Sequence, residues 1–151
     1  MPVKPSPPSH APYMIGALLR VAFQETVRRI LSDLLAAGFD DLRAAHLTVF
    51  QHLDPDGRRP SELAERAQIT KQSMGYLVEY LVGAGYVEQV SDPHDGRARL
   101  VRLTARGRAV DDAARDALRN LEVDWAILLG ADRYARLKAT LTDLTEAIER
   151  P

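Results

Sequence analysis

Apolar residues recur along this chain at two different periods, and the change of period marks out its elements. From Pro12 to Ala37, Ile15, Leu18, Leu19, Ala22, Val27, Ile30, Leu31, Leu34 and Leu35 keep three- and four-residue spacing. That spacing predicts a long helix, which Gly38 terminates. Asp41 is the expected cap of a second helix, Leu42 to Leu53, with Leu47, Phe50 and Leu53 facing inward. The turn-rich stretch DPDGRRP leads into a short helix at Pro60, whose missing N–H suits the first helical position. Leu63, Ala64 and Ala67 give that helix one apolar face; it stops near Gln68, and Ile69 is expected to plug the core at the turn. Thr70 is the expected N-cap of a longer helix in which Met74, Leu77, Val78 and Leu81 face inward. Gly85 ends it in a left-handed cap.

The period then shortens to two. Tyr86, Val87 and Val90 form one strand, and Leu100, Val101 and Leu103 form its return, with Arg99 and Arg102 on the alternate face. Between them lies DPHDG, rich in turn formers. Asp95 stands where a carboxylate would orient Arg97 by a bidentate pair; the bland alternative is a solvated loop with a surface ion pair of little weight. Helical spacing resumes after Thr104, another expected N-cap, with Val110, Ala113, Ala117, Leu121, Trp125 and Leu128 on one side as far as Leu129. Gly130 breaks that helix. A final one starts near Asp132 and repeats Leu137, Leu141, Leu144 and Ile148.

A short helix, a tight turn, a second helix and a basic hairpin make a winged helix-turn-helix. The expected fold is therefore mainly α with a small β-hairpin wing, the lobe flanked by long dimerisation helices. Residues 39–104 would form the DNA-binding lobe, and residues 12–38 and 105–151 the helical dimerisation region. Residues 1–11 would be a flexible arm, either joining the dimer interface or hanging free. The stripe on the last helix wants a partner, and a second copy is the better candidate than the chain's own core. Two recognition helices related by a two-fold axis stand roughly 34–36 Å apart, one turn of DNA, and so read a palindrome.

Charge sharpens the picture. The 151 residues carry a net charge of −1. Residues 58–108 hold nine Lys and Arg against six Asp and Glu; residues 1–57 hold five against six, and residues 109–151 six against nine. The only net-positive third is the one expected to face DNA. The first turn of the longer helix, starting at Thr70, offers Thr70, Lys71, Gln72, Ser73 and then Tyr76 outward, residue types that suit base edges and phosphates of the major groove. Arg97 and Arg99 on the wing suit the minor groove or its phosphates.

The order SELAERAQIT, KQSMGYLVEYLVGAGYVE, DPHDGRARLVRLT resembles the MarR family of winged-helix transcriptional regulators. The family's wing signature is carried by Asp95, Arg97, Arg99, Leu103 and Thr104. The resemblance implies a sequence-specific DNA-binding regulator, expected to be a repressor, that binds a palindromic operator as a homodimer. It also implies a small aromatic or anionic effector held between the dimer helices and the lobe, where Arg20, Phe23, Gln24, His46 and Phe50 are the candidates. Arg20 would pair a carboxylate and Phe23 would stack on a ring; ordinary packing is the competing account of each residue.

Two other readings stay open on the sequence: a winged-helix module that binds protein, and a small-molecule-binding protein without DNA affinity. An enzyme is not expected. His10, His46, His52 and His94 stand in no catalytic or zinc-binding motif, and there is no phosphate-cradling glycine loop. No cofactor and no metal are expected. The chain has no cysteine and no apolar run of membrane-spanning length, and its start lacks the apolar core of a signal peptide, so a cytoplasmic protein is expected.

Overall fold

In the order of the chain, the elements are α1 (Ile15–Ala36), α2 (Ala44–His52), α3 (Pro60–Arg66), α4 (Lys71–Gly83), β1 (Val87–Asp92), β2 (Asp95–Leu103), α5 (Ala105–Leu129) and α6 (Ala131–Glu149). This computed structural model describes residues 14–150, so the expected N-terminal arm lies outside the described residues.

Three helices stop in the same way. After α1, α3 and α4, the residue past the C-cap turns left-handed: Gly38 at φ 92°, Gln68 at φ 54° and Gly85 at φ 79°. In each case the next residue reaches back across the last turn. The N–H of Phe39 donates to Leu34 O, that of Ile69 to Ala64 O and that of Tyr86 to Leu81 O, at 2.9, 3.1 and 2.9 Å. Carbonyls that the helix itself leaves unpaired are satisfied this way. Gln68 does so without being glycine, in the turn between α3 and α4.

The expected caps divide. Thr70 accepts from the N–H of Ser73 at 3.0 Å and Thr104 from that of Gly107 at 3.1 Å, as their residue types require. Asp41 does not cap α2. The helix starts three residues later, with Arg43 at the N-cap and the Arg43 N–H donating to His46 Nδ1 at 3.0 Å. Asp41 is taken up instead by two tyrosines: Tyr86 donates its hydroxyl to the Asp41 carboxylate at 2.5 Å and Tyr80 to its carbonyl at 2.6 Å. Those hydroxyls come from α4 and its end, which explains why the cap position moved.

The core is drawn from every layer. Leu34 of α1, Leu63 of α3, Met74 and Leu81 of α4, Tyr86, Val101 of β2 and Val110 of α5 are all fully buried. Burying one such side chain contributes on the order of 1.5–3 kcal/mol. Leu77, Phe50, Leu53 and Ile69 are only half-buried against that core. α1 lies along α5, with Arg29 bridging to Asp124 at 3.0 Å.

β1 and β2 pair antiparallel from Val87 opposite Leu103 to Ser91 opposite Arg99, with an irregularity before Asp92 pairs with Asp95. The strands therefore take up the two aspartates of DPHDG, leaving only Pro93 and His94 as the tip. Arg58, which no periodicity marks as a strand residue, joins the other edge of β2. Its N–H donates to Val101 O at 2.9 Å and the N–H of Val101 donates to Arg58 O at 2.8 Å. The α2–α3 connection thus contributes a one-residue third strand to the wing.

α6 buries none of its residues in its own chain. Leu137, Leu141, Leu144 and Ile148 are exposed, and so are Met14 at the cap of α1, Ile15, Leu18 and Val21 within it, and Val123, Ile127 and Leu128 of α5. Leu128, read as part of the inward stripe of α5, is one of the most open at 79%.

Candidate nucleic-acid interface

The lobe presents two elements with polar and cationic side chains outward. On α4, Lys71, Gln72, Ser73 and Tyr76 are exposed, while Met74 and Val78 on the opposite side of the same turns are buried. Thr70 fixes the start of the helix twice, accepting from the Ser73 N–H and donating its hydroxyl to Ser73 Oγ at 2.9 Å. Gln72 Nε2 donates to the Tyr76 hydroxyl at 3.2 Å, so the two outward side chains one turn apart form a linked polar pair. The helix has no acidic residue in its first turn, which leaves its positive end and Lys71 unopposed there.

On the wing, Arg97 and Arg99 are exposed along one face of β2. Neither makes an ion pair among the described residues, and nor does Lys71; the wing's bridges are those of Arg102 to Glu88 and of Arg59 to Asp92 and Asp95. Arg102 is neutralised across the strands by Glu88 at 2.7 Å, on the residue pair that stands directly opposite. The expected side-chain pair of Asp95 with Arg97 is not formed. The Asp95 carboxylate folds back to accept the backbone N–H of Arg97 at 3.2 Å, an aspartate turn contact made by the residue two before. The guanidinium of Arg97 is left free for a partner outside the chain.

Arg59 was missing from the expected set. Its Nε and Nη2 donate to the same oxygen of Asp92 at 2.8 and 2.5 Å. Asp92 is 6% exposed, and the His94 N–H and the Arg59 guanidinium hold its carboxyl below the usual carboxylate range. The two residues are 33 positions apart, and no spacing rule could have joined them.

The five effector candidates occupy separate places. Arg20 and Gln24 bond each other at 3.2 Å on the open part of α1, and Phe23 is exposed beside them. His46 is buried, its ring stacked on Tyr80 at 4.3 Å between centroids. Burial, and then the nearby Arg43, push its pKa down. Phe50 lines two cavities. It borders one of about 250 Å³ with Asp54, Arg108, Asp111 and Asp112, and a second of similar size with Ile30, Leu47 and Leu118. Both lie where α2 meets α5.

Among the described residues there is no cluster of three side chains suited to a metal ion, and no helix is long and apolar enough to cross a membrane.

Comparison with known proteins agrees with this geometry. A model of the MarR family matches residues 40–98, which run from the α1–α2 connection to the wing. An HTH-type transcriptional repressor of Mycobacterium tuberculosis is 32% identical over 88 residues, 58% of this chain and 63% of that protein. A repressor of the same description from Mycobacterium bovis matches equally. The chain thus spans less than two thirds of the length of these curated relatives. Among solved structures, the reduced form of MarR from E. coli superimposes with a TM-score of 0.75 at 23% identity, covering 89% of this chain and 98% of that one. CouR, a transcriptional repressor bound to a 23-mer DNA duplex, does so with a TM-score of 0.65 at 22% identity, covering 87% and 92%. The family's members are DNA-binding regulators rather than enzymes. By sequence over its lobe and by fold over nearly nine-tenths of its length, the chain resembles the MarR family of winged helix-turn-helix transcriptional regulators.

Proposed function

We propose that this protein is a repressor that binds a palindromic operator as a homodimer, in the cytoplasm beside the DNA that it reads. The observation that carries the reading is a set of three uncommitted cations on two elements of one lobe: Lys71 on α4, and Arg97 and Arg99 on β2. Each is exposed, and each lacks a carboxylate partner among the described residues. α4 with Thr70, Lys71, Gln72, Ser73 and Tyr76 enters the major groove, and the wing arginines hold the flanking minor groove. CouR and a mutant of MepR from S. aureus, which share the fold, were both solved on DNA.

The dimer rests on the exposed apolar stripes of α1, α5 and α6, which a second copy would cover; this assigns residues 12–38 and 105–151 to dimerisation and 39–104 to the lobe. An effector of this regulator sits at the α2–α5 junction bordered by Phe50, where it would bias the spacing of the two lobes. Arg20, Phe23 and Gln24 belong to the exposed face of α1 and His46 to the packing beneath Tyr80.

The test is a salt series of binding to DNA from upstream of the protein's own coding region, with random duplex as control. A footprint on a palindrome, tighter than on random DNA and weakening steeply with salt, is expected. Absence of binding to either duplex at low salt would overturn the reading in favour of a protein-binding module.

A further inference from the structure

We propose that Arg59 is a positioning residue for the wing. It ties the start of α3 to the wing tip through Asp92 and so sets where Arg97 and Arg99 stand relative to α4. The purpose of the tie rests on the DNA-binding reading above; its geometry does not.

Arg59 is the N-cap residue of α3, directly before Pro60. Its backbone is extended there, at φ −66° and ψ 141°, as the residue before a proline prefers. The cap therefore sends its side chain away from the helix and across to the hairpin. One oxygen of Asp92 takes both Nε and Nη2 of Arg59. The other accepts the His94 N–H at 2.8 Å, closing the tip. A single buried carboxylate thus holds the turn of the wing with one oxygen and the lobe's second helix with the other. Asp95, which accepts the Arg97 N–H, stands 3.7 Å from the same guanidinium. Arg59 therefore faces both aspartates that shape the path of the chain into Arg97.

Two further features make the arrangement a positioning device and not a surface ion pair. Asp92 is almost fully buried, so losing its cation would leave a carboxylate uncompensated in the fold. Arg58, the residue before, is hydrogen-bonded on both its N–H and C=O to Val101, so backbone and side chain grip the wing at adjacent positions. Two of the three guanidinium nitrogens of Arg59 are spent on Asp92, unlike Arg97 and Arg99, which spend none on a carboxylate.

The experiment is a double-mutant cycle with Arg59→Gln and Asp92→Asn, which keeps the shape of Asp92. It reads binding to the upstream duplex and to random duplex as a function of salt, and amide exchange of the DNA-free protein. Each single variant is expected to lower affinity about tenfold, within the coupling range of residues that share one ion-pair network, and the double variant no further than the worse single. The salt slope should stay as in the wild type, because no phosphate contact is removed. In the free protein, exchange at His94 and Arg97 should speed up in both single variants. Arg59→Lys, which keeps charge without the fork, should fail to restore either readout.

A slope reduced by about one in Arg59→Gln, with Asp92→Asn binding as the wild type, would make Arg59 a phosphate contact and overturn the proposal. Unchanged exchange at the tip would overturn it equally. If no variant, wild type included, bound either duplex, the DNA reading would fall while the exchange measurement still decided the tie.

Discussion

Gly107 of α5 and Tyr86 at the foot of the wing meet backbone to backbone: a Cβ on Gly107 would stand 1.9 Å from the Tyr86 carbonyl oxygen and 3.0 Å from its carbon. The contact is locked by Thr104, which accepts the Gly107 N–H and donates its hydroxyl to Gly85 O at 2.6 Å and Tyr86 O at 3.0 Å. Neither neighbour is the movable end of a side chain, so the first turn of α5 would have to lift. Gly107→Ala is expected to destabilise the fold by about 1–3 kcal/mol, the cost of overpacking a filled site. A urea midpoint equal to that of the wild type would show that α5 can withdraw freely.

Gln68 pays for its left-handed backbone with a side chain that the conformation does not favour. Its C-terminal turn would be made as well by glycine, without the Cβ clash that costs other residues on the order of 1 kcal/mol or more. Gln68→Gly should therefore raise the urea midpoint slightly, against the small entropic loss of adding a glycine. A clear fall would mean that the exposed glutamine side chain contributes something that the backbone geometry does not reveal.

Gln72 and Tyr76 should act on DNA as a pair. Tyr76→Phe removes the acceptor of the Gln72 amide and frees it to rotate, so preference at one base position is expected to relax with a modest loss of affinity. Arg97→Ala should instead weaken binding on all sequences alike and reduce the salt slope by about one. Selection of bound sequences from a random pool, followed by salt titration, separates the two patterns. A uniform loss in Tyr76→Phe would demote the pair to phosphate contact.

Leu144 lies in the exposed stripe of α6, a helix that buries none of its residues. Leu144→Lys is expected to leave the urea transition of the lobe in place while converting a dimer to monomers in sedimentation. Palindrome binding should fall with it, toward the affinity of one half-site. A wild-type monomer at micromolar concentration would contradict the assignment of α1, α5 and α6 to an interface.

Acid should loosen the α2 start. The pKa of His46 is lowered by burial and by Arg43, with Asp41 opposing weakly, and that of His52 is lowered by burial and by Arg66 and Arg58. The unfolded chain takes up these protons near the ordinary value of 6.5, before the folded chain does. Stability is thus fully present above that pH and is lost as pH falls below it toward the lowered folded values. His46→Asn keeps an acceptor for the Arg43 N–H without titrating, so it should flatten part of this dependence. An unaltered slope would assign the whole effect to His52.

How much of this was legible depended on distance along the chain. The helix-turn-helix and wing were readable because their signals are local: Thr70 and Thr104 cap within three residues, and Val87, Val101 and Leu103 alternate in register. The role of Asp41 was misread because a cap is recognised by residue type, while its use was decided by two tyrosines about 40 positions on. The Arg59–Asp92 tie and the Arg58–Val101 bridge join segments that carry no shared period. Asp95 was placed rightly beside Arg97, but its carboxylate found the nearer partner, the backbone. The effector candidates scattered because sharing α1 and α2 does not bring their side chains to one cavity, and only Phe50 points where α2 meets α5.

The one-residue strand at Arg58 has a mechanical consequence. A wing that hung from its own two strands could flap independently of the helix beside it. Here the segment entering α3 is sewn to β2, so lifting the wing means tearing two backbone hydrogen bonds. The wing and the start of α3 are therefore coupled and would move together. In the proposed dimer, a signal that changed the distance between two such lobes would move every reading surface together, and release would follow from misfit of spacing with each lobe still intact.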